Sequence, residues 1–354
     1  MRKPPTPSTL PGEQAWARPA GWSSIALLCL PVLTGLSTAR AQPHIKPPQA
    51  QAWIDVATYS GLGLPMAGAA ANPMAALGGL FGQVLGAKNN FGNSQAGSAG
   101  RWVDVTLLSR ANPALAEARQ AVPAGFLPAA LQLQAPKETR GRAPDNDEAV
   151  VEPDVERPRG RLLLYWGCSA TVRAGQPQVL DMASASAAEI AKFFVSRRAT
   201  QRGTHSAVGR PVWPSAADAR MVPAGASLAG THAFSGSGVP EDFRFQLPAQ
   251  QDLMPPLDLK TRDAAGSVEL SWTPAPTARA YFATGMAAGA KDEMVLWTSS
   301  ELPETGFGLT DYQTNAAVDR WLKEKVLLAP ATTRCNVPQG VFSGEGAMLR
   351  LIGY

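Results

Sequence analysis

Gly160-Arg161-Leu162-Leu163-Leu164-Tyr165-Trp166 is answered farther along the chain by Gly266-Ser267-Val268-Glu269-Leu270-Ser271-Trp272. In each stretch alternate positions are apolar: Leu162, Leu164 and Trp166 in the first, Val268, Leu270 and Trp272 in the second. A period of two places each trio on one face of an extended strand, where it fills the inside of a sheet packing. A second echo runs in the same order, because Val122-Pro123-Ala124-Gly125 recurs as Val222-Pro223-Ala224-Gly225. Together the echoes predict a duplicated, mainly β protein built from two sandwich-like modules. Both tryptophans are expected in the core, with Trp297 beside them.

The remaining sequence fits short strands joined by long irregular loops. The chain of 354 residues holds 33 Gly and 31 Pro, and only 17% of it is charged. That balance favours turns over long helices. Trp53-Ile54-Asp55-Val56-Ala57-Thr58 and Trp102-Val103-Asp104-Val105-Thr106-Leu107 share a pattern and are expected to pair. The stretch between them has no charged residue from Val56 to Ala87. Three short helical insertions are predicted. One starts at Asn112-Pro113, an N-cap followed by proline at the first helical position, and runs to about Gln120. Another starts at the capping box Ser186-Ala187-Ala188-Glu189 and ends near Arg198. The third spans 315–327, on the apolar stripe Val318, Trp321, Leu322 and Val326.

Residues 1–41 carry Arg2 and Lys3, an apolar run from Trp22 to Leu36, and then Ala39-Arg40-Ala41. Charge, apolar core and small residues in that order read as a secretory signal peptide cleaved after Ala41. The expected location is the periplasm, the outer-membrane surface or the medium. Removing this leader takes four basic residues (Arg2, Lys3, Arg18, Arg40) and one acidic residue (Glu13) from totals of 32 and 28. The mature chain keeps 28 and 27, so net charge gives no case for nucleic acid as a partner. Cys29 leaves with the leader. Cys168 and Cys335 remain, and two thiols in an oxidising compartment are expected to form a disulfide. The division that follows is a signal peptide over 1–41 and an extended leader with the uncharged Gly/Ala-rich loop over 42–100. A first β-rich module spans 101–210, with an acidic insertion at 137–159 that reads as disordered. A second module spans 211–354.

The second module resembles a fibronectin type III domain. Ser267-Val268-Glu269-Leu270-Ser271-Trp272-Thr273-Pro274 is similar to that family's second strand with its tryptophan, and Ala280 to Thr284 to the strand after it. Leu328-x-Pro330-x-Thr332 resembles the turn into the sixth strand, and Ala347 to Ile352 the last strand. Cys335 stands near where the family usually has a tyrosine. The resemblance covers about sixty residues and implies an antiparallel sandwich used for adhesion or spacing. The strand end Tyr165-Trp166-Gly167-Cys168 also resembles uncharacterised exported bacterial proteins, which carries no activity with it.

Chemistry-bearing patterns are sparse. His44, His205 and His232 lie far apart, so no metal site is expected, and no phosphate loop, dinucleotide fingerprint or G-x-S-x-G elbow implies a cofactor or a serine nucleophile. Ser235 and Ser237, close to His232, suggest a serine–base pair against a plain loop. Asp145-Asn146-Asp147-Glu148 has oxygen ligands but lacks the turn glycine of a calcium loop. The adjacent pairs Glu241-Asp242 and Asp292-Glu293 would point to opposite faces of a strand rather than converge. Lys192, Arg197, Arg198, Arg202 and Arg210 form a basic patch suited to lipid head groups or an acidic glycan, or to plain solvation at a helix end. Trp213, between Pro211 and Pro214, is the candidate exposed aromatic for stacking on a sugar or peptide. Gly78, Gly82 and Gly86 are spaced as in a close helix–helix contact, which suggests membrane or self-association.

The sequence-based expectation is an exported, non-catalytic envelope or secreted protein that binds or spaces a protein, peptide or glycan. One rival is a hydrolase with a site assembled from distant residues. The other is a membrane-associated assembly factor using the Gly78/Gly82/Gly86 segment.

Overall fold

The computed structural model describes residues 47–60, 89–96, 99–137, 160–198, 203–290, 292–342 and 346–354. The leader, the uncharged loop with Gly78, Gly82 and Gly86, and the acidic stretch from 138 lie outside the described residues. The protein is mainly β. The chain first lays down β1 (Ala50–Tyr59), a short helix α1 (Asn93–Ala96), β2 (Gly100–Ser109), β3 (Glu117–Ala121) and β4 (Leu131–Gln134). It then supplies β5 (Arg161–Trp166), β6 (Gln178–Asp181) and helix α2 (Ala187–Phe193). Next come β7 (Val212–Trp213), β8 (Gly230–Ser235) and β9 (Arg244–Leu247). The last part contains β10 (Lys260–Ala264), β11 (Ser267–Ser271), β12 (Tyr281–Ala288) and β13 (Glu293–Thr298). Helix α3 (Asn315–Lys323), β14 (Arg334–Val337) and β15 (Met348–Gly353) complete it.

These strands form three sheets, and the chain visits them out of order. A seven-stranded sheet runs β1-β2-β7-β4-β3-β8-β9, a five-stranded sheet runs β15-β12-β13-β5-β6, and a three-stranded sheet runs β10-β11-β14. The division at residue 210 does not follow this pairing. β5 and β6, assigned by sequence to the first module, pair with the C-terminal strands, whereas β7, β8 and β9, assigned to the second, complete the N-terminal sheet. The stretch 42–100 is likewise more than a leader, because β1 pairs with β2 over ten residues from Ala50↔Ser109 to Tyr59↔Gly100. That pairing is the one the shared Trp-x-Asp-Val pattern predicts. Residues Pro47–Tyr354 thus form one compact unit.

β5 explains why the division moves. Every residue from Leu162 to Trp166 is apolar or aromatic, which suits a strand covered on both faces. It pairs in parallel with β13, Leu164 opposite Leu296 and Trp166 opposite Thr298, and antiparallel with β6. Leu163 and Tyr165 pack into the core between the five- and three-stranded sheets, with Leu270, Trp272, Tyr281 and Trp297. Leu162, Leu164 and Trp166 pack on the other face against Leu180, Ile190 and Phe193. Trp166 and Trp272 therefore occupy different cores. The two Val-Pro-Ala-Gly stretches are not equivalent points of two modules either. Each closes a turn, Phe126 N–H donating to the Pro123 carbonyl (3.0 Å) and Ala226 N–H to that of Pro223 (3.0 Å). The turns sit side by side, with Ser227 N–H donating to the Gly125 carbonyl (2.9 Å).

Two predicted helices form and one does not. At α2 the Ser186–Glu189 capping box is present, but the helix stops at Phe193, short of Arg198. At α3 Thr314 caps the N-terminus and Val318 and Trp321 are buried, but the helix ends at Lys323, so Val326 and Leu327 follow it rather than extend its stripe. After Asn112-Pro113 there is a turn, in which Asn112 Oδ1 accepts from Ala114 N–H (3.2 Å), followed by strand β3. Ala118 and Gln120 are buried and their neighbours exposed, a strand alternation that overrides the proline start signal. In the C-terminal part, Arg334–Val337 joins β11 in the three-stranded sheet, and Met348–Gly353 joins β12 in the five-stranded one.

Leu270 is fully buried at the centre of the three-stranded sheet and within the core it shares with the other layer. Leu270→Ala is expected to lower unfolding free energy by about 2–5 kcal/mol. Val179→Ala, on a half-exposed edge position, should change it by less than about 0.5 kcal/mol. Chemical denaturation checks both, and equal effects at the two sites would contradict the layer assignment.

Candidate functional site

The C-terminal sandwich is closed by one short crossing segment. β5 ends at Trp166, and Gly167 N–H donates to the Thr298 carbonyl (2.9 Å). Two residues later the chain has reached the other layer, where Ser169 N–H donates to the Asn336 carbonyl (3.1 Å) and Ala170 O accepts from Gln339 N–H (2.9 Å). Gly167 has φ +95°, and an added Cβ would lie 2.8 Å from the Arg173 guanidinium carbon. Only glycine makes this turn without strain. Cys168 sits at the crossing and meets Cys335 of β14 at disulfide distance, with Cα atoms 4.9 Å apart. Trp297 is buried below it and donates its indole N–H to the Gly167 carbonyl (3.1 Å). Arg173 grips Glu301 through two guanidinium nitrogens, at 2.6 and 3.2 Å, from outside the turn. This assembly is structural: it fixes the spacing of two sheets.

Trp213 is not an exposed stacking residue. It is fully buried in the N-terminal core, edge-on to Phe126 with ring centroids 6.1 Å apart. The prolines on either side confine its strand to two residues wedged between β2 and β4, and that wedge drives the indole inward. His232 is also buried. Its Nε2–H donates to the Leu228 carbonyl (2.7 Å), Nδ1 accepts from the Gln120 amide (2.9 Å), and the ring stacks on Phe245. Both nitrogens are thus occupied, and exposed Ser235 stands on the opposite face of β8, so the serine–base pair does not assemble. Burial pushes the His232 pKa down, more strongly than its bond to Leu228 pushes it up.

A carboxylate pair that sequence reading passed over does converge. Asp55 of β1 and Asp104 of β2 are direct cross-strand partners. Trp53 and Trp102 each lie two positions before their own aspartate, so the indoles flank the pair from opposite ends of the antiparallel ladder. The repeated Trp-x-Asp-Val pattern, taken together with the predicted pairing, carried that information. Two carboxylates on one face are the raw material of acid–base chemistry. Here both are clamped. Asp104 is buried and accepts from Gly92 N–H (2.9 Å), from Ser94 N–H (3.2 Å) and from the Ser94 hydroxyl. Thr204 donates its hydroxyl to Asp55, and His205 N–H donates to Thr106 Oγ1 (3.1 Å). Gly203 lies so close on Trp53 that an added Cβ would fall 1.8 Å from the ring. The pair pins residues 92–94 and 203–205 onto the outside of the β1–β2 ladder. Burial raises the Asp104 pKa, the Ser94 and Gly92 hydrogen bonds oppose that shift, and the Asp55 charge adds to it.

The basic patch is partly consumed by acids. Arg197 Nε bonds Glu304 (2.5 Å), a buried carboxylate, and its Nη1 bonds Glu324 (2.9 Å). Open clefts among the described residues include the following two. One, of about 360 Å³, lies between β6 and α2 and is lined by Val179, Asp181, Glu189 and Lys192. The other, of about 520 Å³, lies beside α3. Among the described residues, no three His, Cys, Asp or Glu side chains gather to hold a metal ion, and no helix is long and apolar enough to cross a membrane. Protein-family models, curated proteins and solved structures give no match to the chain.

The His232 geometry generates a pH test. An unfolded histidine titrates near about 6.5. The folded one binds its proton more weakly, so as pH falls through that value the unfolded state takes up protons first. Stability should be full above about pH 7 and decline as pH drops from about 6.5 toward the folded pKa. Denaturation of the natural chain and of His232→Gln across that window checks this. The variant should show a flatter profile, and identical slopes would contradict a neutral buried imidazole.

Proposed function

We propose that this chain is an exported, non-catalytic β-sandwich protein of the cell envelope or the medium, which binds or spaces a partner. The observation that carries the reading is the meeting of Cys168 and Cys335, the two cysteines beyond the leader, across the two sheets of the C-terminal sandwich. A disulfide at that point persists in an oxidising compartment and is rare in a reducing cytosol. The charge, apolar run and small residues over 1–41 support the same route. The binding half of the reading is supported by large side chains left exposed on loops, Phe307 and Tyr312 foremost.

Fractionation of the producing cells tests the proposal, combined with N-terminal sequencing and cross-linking in intact cells. The expected result is a chain that begins near Gln42, leaves the cell by osmotic shock or appears in the medium, and cross-links to a defined envelope component. A full-length chain in the cytosol contradicts export, and a chain that remains an isolated monomer throughout contradicts the binding role.

A further inference from the structure

Helix α3 and the segment 195–198 line the larger of these two clefts, and the loop 304–313 adjoins it where Glu304 and the Phe307 carbonyl bond Arg197. Its lining includes Val195, Arg197, Arg198, Arg320 and Trp321. The three arginines do different work. Arg197 is spent inward on Glu304 and Glu324 and lies over the Trp321 ring, 4.7 Å from its centroid. Arg320 stacks on the same ring at 4.7 Å and engages Glu324 through Nε (2.8 Å), with 67% of its side chain exposed. Arg198 is 55% exposed, and its nearest Asp311 oxygen is 4.0 Å away. Three arginines and no carboxylate line the cleft, and the acid partners Glu304, Glu324 and Asp311 are less exposed than Arg198 and Arg320.

Val195 lines the cleft and is 50% exposed, and Phe307 and Tyr312 on the adjoining loop are each 53% exposed. Phe307 is tied to the cleft by its carbonyl, which accepts from Arg197 N–H (2.8 Å), and Tyr312 stands next to Asp311. Arginine and aromatic side chains held on a stacked, ion-paired base have the composition of a protein–protein hot spot. The guanidinium fork matches a carboxylate in a bidentate manner. A flat anionic membrane would also meet Asp319, exposed on the same helix, whereas a discrete carboxylate can engage Arg198 or Arg320 alone.

We propose that this surface binds an acidic peptide segment of a partner protein, with carboxylates on Arg198 and Arg320 and apolar side chains against Val195, Phe307 and Tyr312. The inference rests on the reading that the chain binds a partner, and adds the place and the partner's chemistry.

The probe is a fluorescent peptide of repeating Glu-Leu-Glu-Phe, titrated by anisotropy against the mature chain, with polygalacturonate and phosphatidylglycerol vesicles as parallel arms. The peptide is expected to bind, more weakly as salt is raised. Arg198→Glu combined with Arg320→Glu should weaken it by at least about tenfold. Phe307→Ser, at an exposed site, gives an independent loss if the charge reversal disturbs folding. Absence of peptide binding, or binding unchanged in both variants, overturns the proposal. Equal or tighter binding of the polysaccharide or the vesicles, lost in the same variants, overturns the peptide assignment. If the variants keep the partner cross-linked in intact cells, this surface assignment falls and the wider binding reading stands.

Discussion

The C-terminal sandwich depends on the crossing at Gly167–Ala170. A strand buried on both faces has to end within reach of the opposite layer, and Gly167 supplies the conformation that turns it there. The Cys168–Cys335 contact then fixes the distance between layers, and the Trp297 indole satisfies the carbonyl that the turn exposes. Tyr281 and Leu270 fill the space on either side, and the Tyr281 hydroxyl accepts from Ala275 N–H (2.7 Å) on the loop after β11. Removing the sulfur link would free a loop of 167 residues, and the chain-entropy model assigns such closure up to about 5 kcal/mol.

The same constraint organises the rest of the chain. Because β5 lies between β13 and β6, the chain leaves the N-terminal sheet after β4, lays down β5 and β6 for the five-stranded sheet, and returns at β7. The N-terminal sheet is then held by its own core around Leu107, Leu131, Trp213 and Phe234. Polar pins seal its outer face. Asp104 and Asp55 hold neighbouring loops to β1 and β2, and Asp218 accepts from Arg220 and from Gln132 N–H beneath the Trp213 turn. Asp104 and Asp218 each accept from several donors, the condition under which such groups persist away from water.

Much of this was readable in the sequence where a local signal met no competitor. The capping box at Ser186, the stripe of α3 and the pairing of the two Trp-x-Asp-Val strands all formed as local chemistry dictates. The failures share a cause, which is long-range packing. Leu162 to Trp166 is apolar at every position, so a period of two selects a face only after the neighbours are known, and the parallel partner β13 lies far along the chain. Asn112-Pro113 carries a helix start, yet Ala118 and Gln120 gain more by joining β4 and β8. Trp213 looks exposed between prolines until the gap between β2 and β4 takes it in. The arginine cleft draws on residues 195–198 and 314–321, with the Phe307 carbonyl bonded alongside, and no spacing rule links them.

The most direct measurement is the unfolding of the mature chain with Cys168 and Cys335 oxidised and, separately, reduced and alkylated. The account predicts that the oxidised form is more stable by several kcal/mol, up to about 5, and that tryptophan fluorescence changes at the same transition. Indistinguishable transitions for the two forms would mean that the sheets hold their spacing without the link, and would contradict the account.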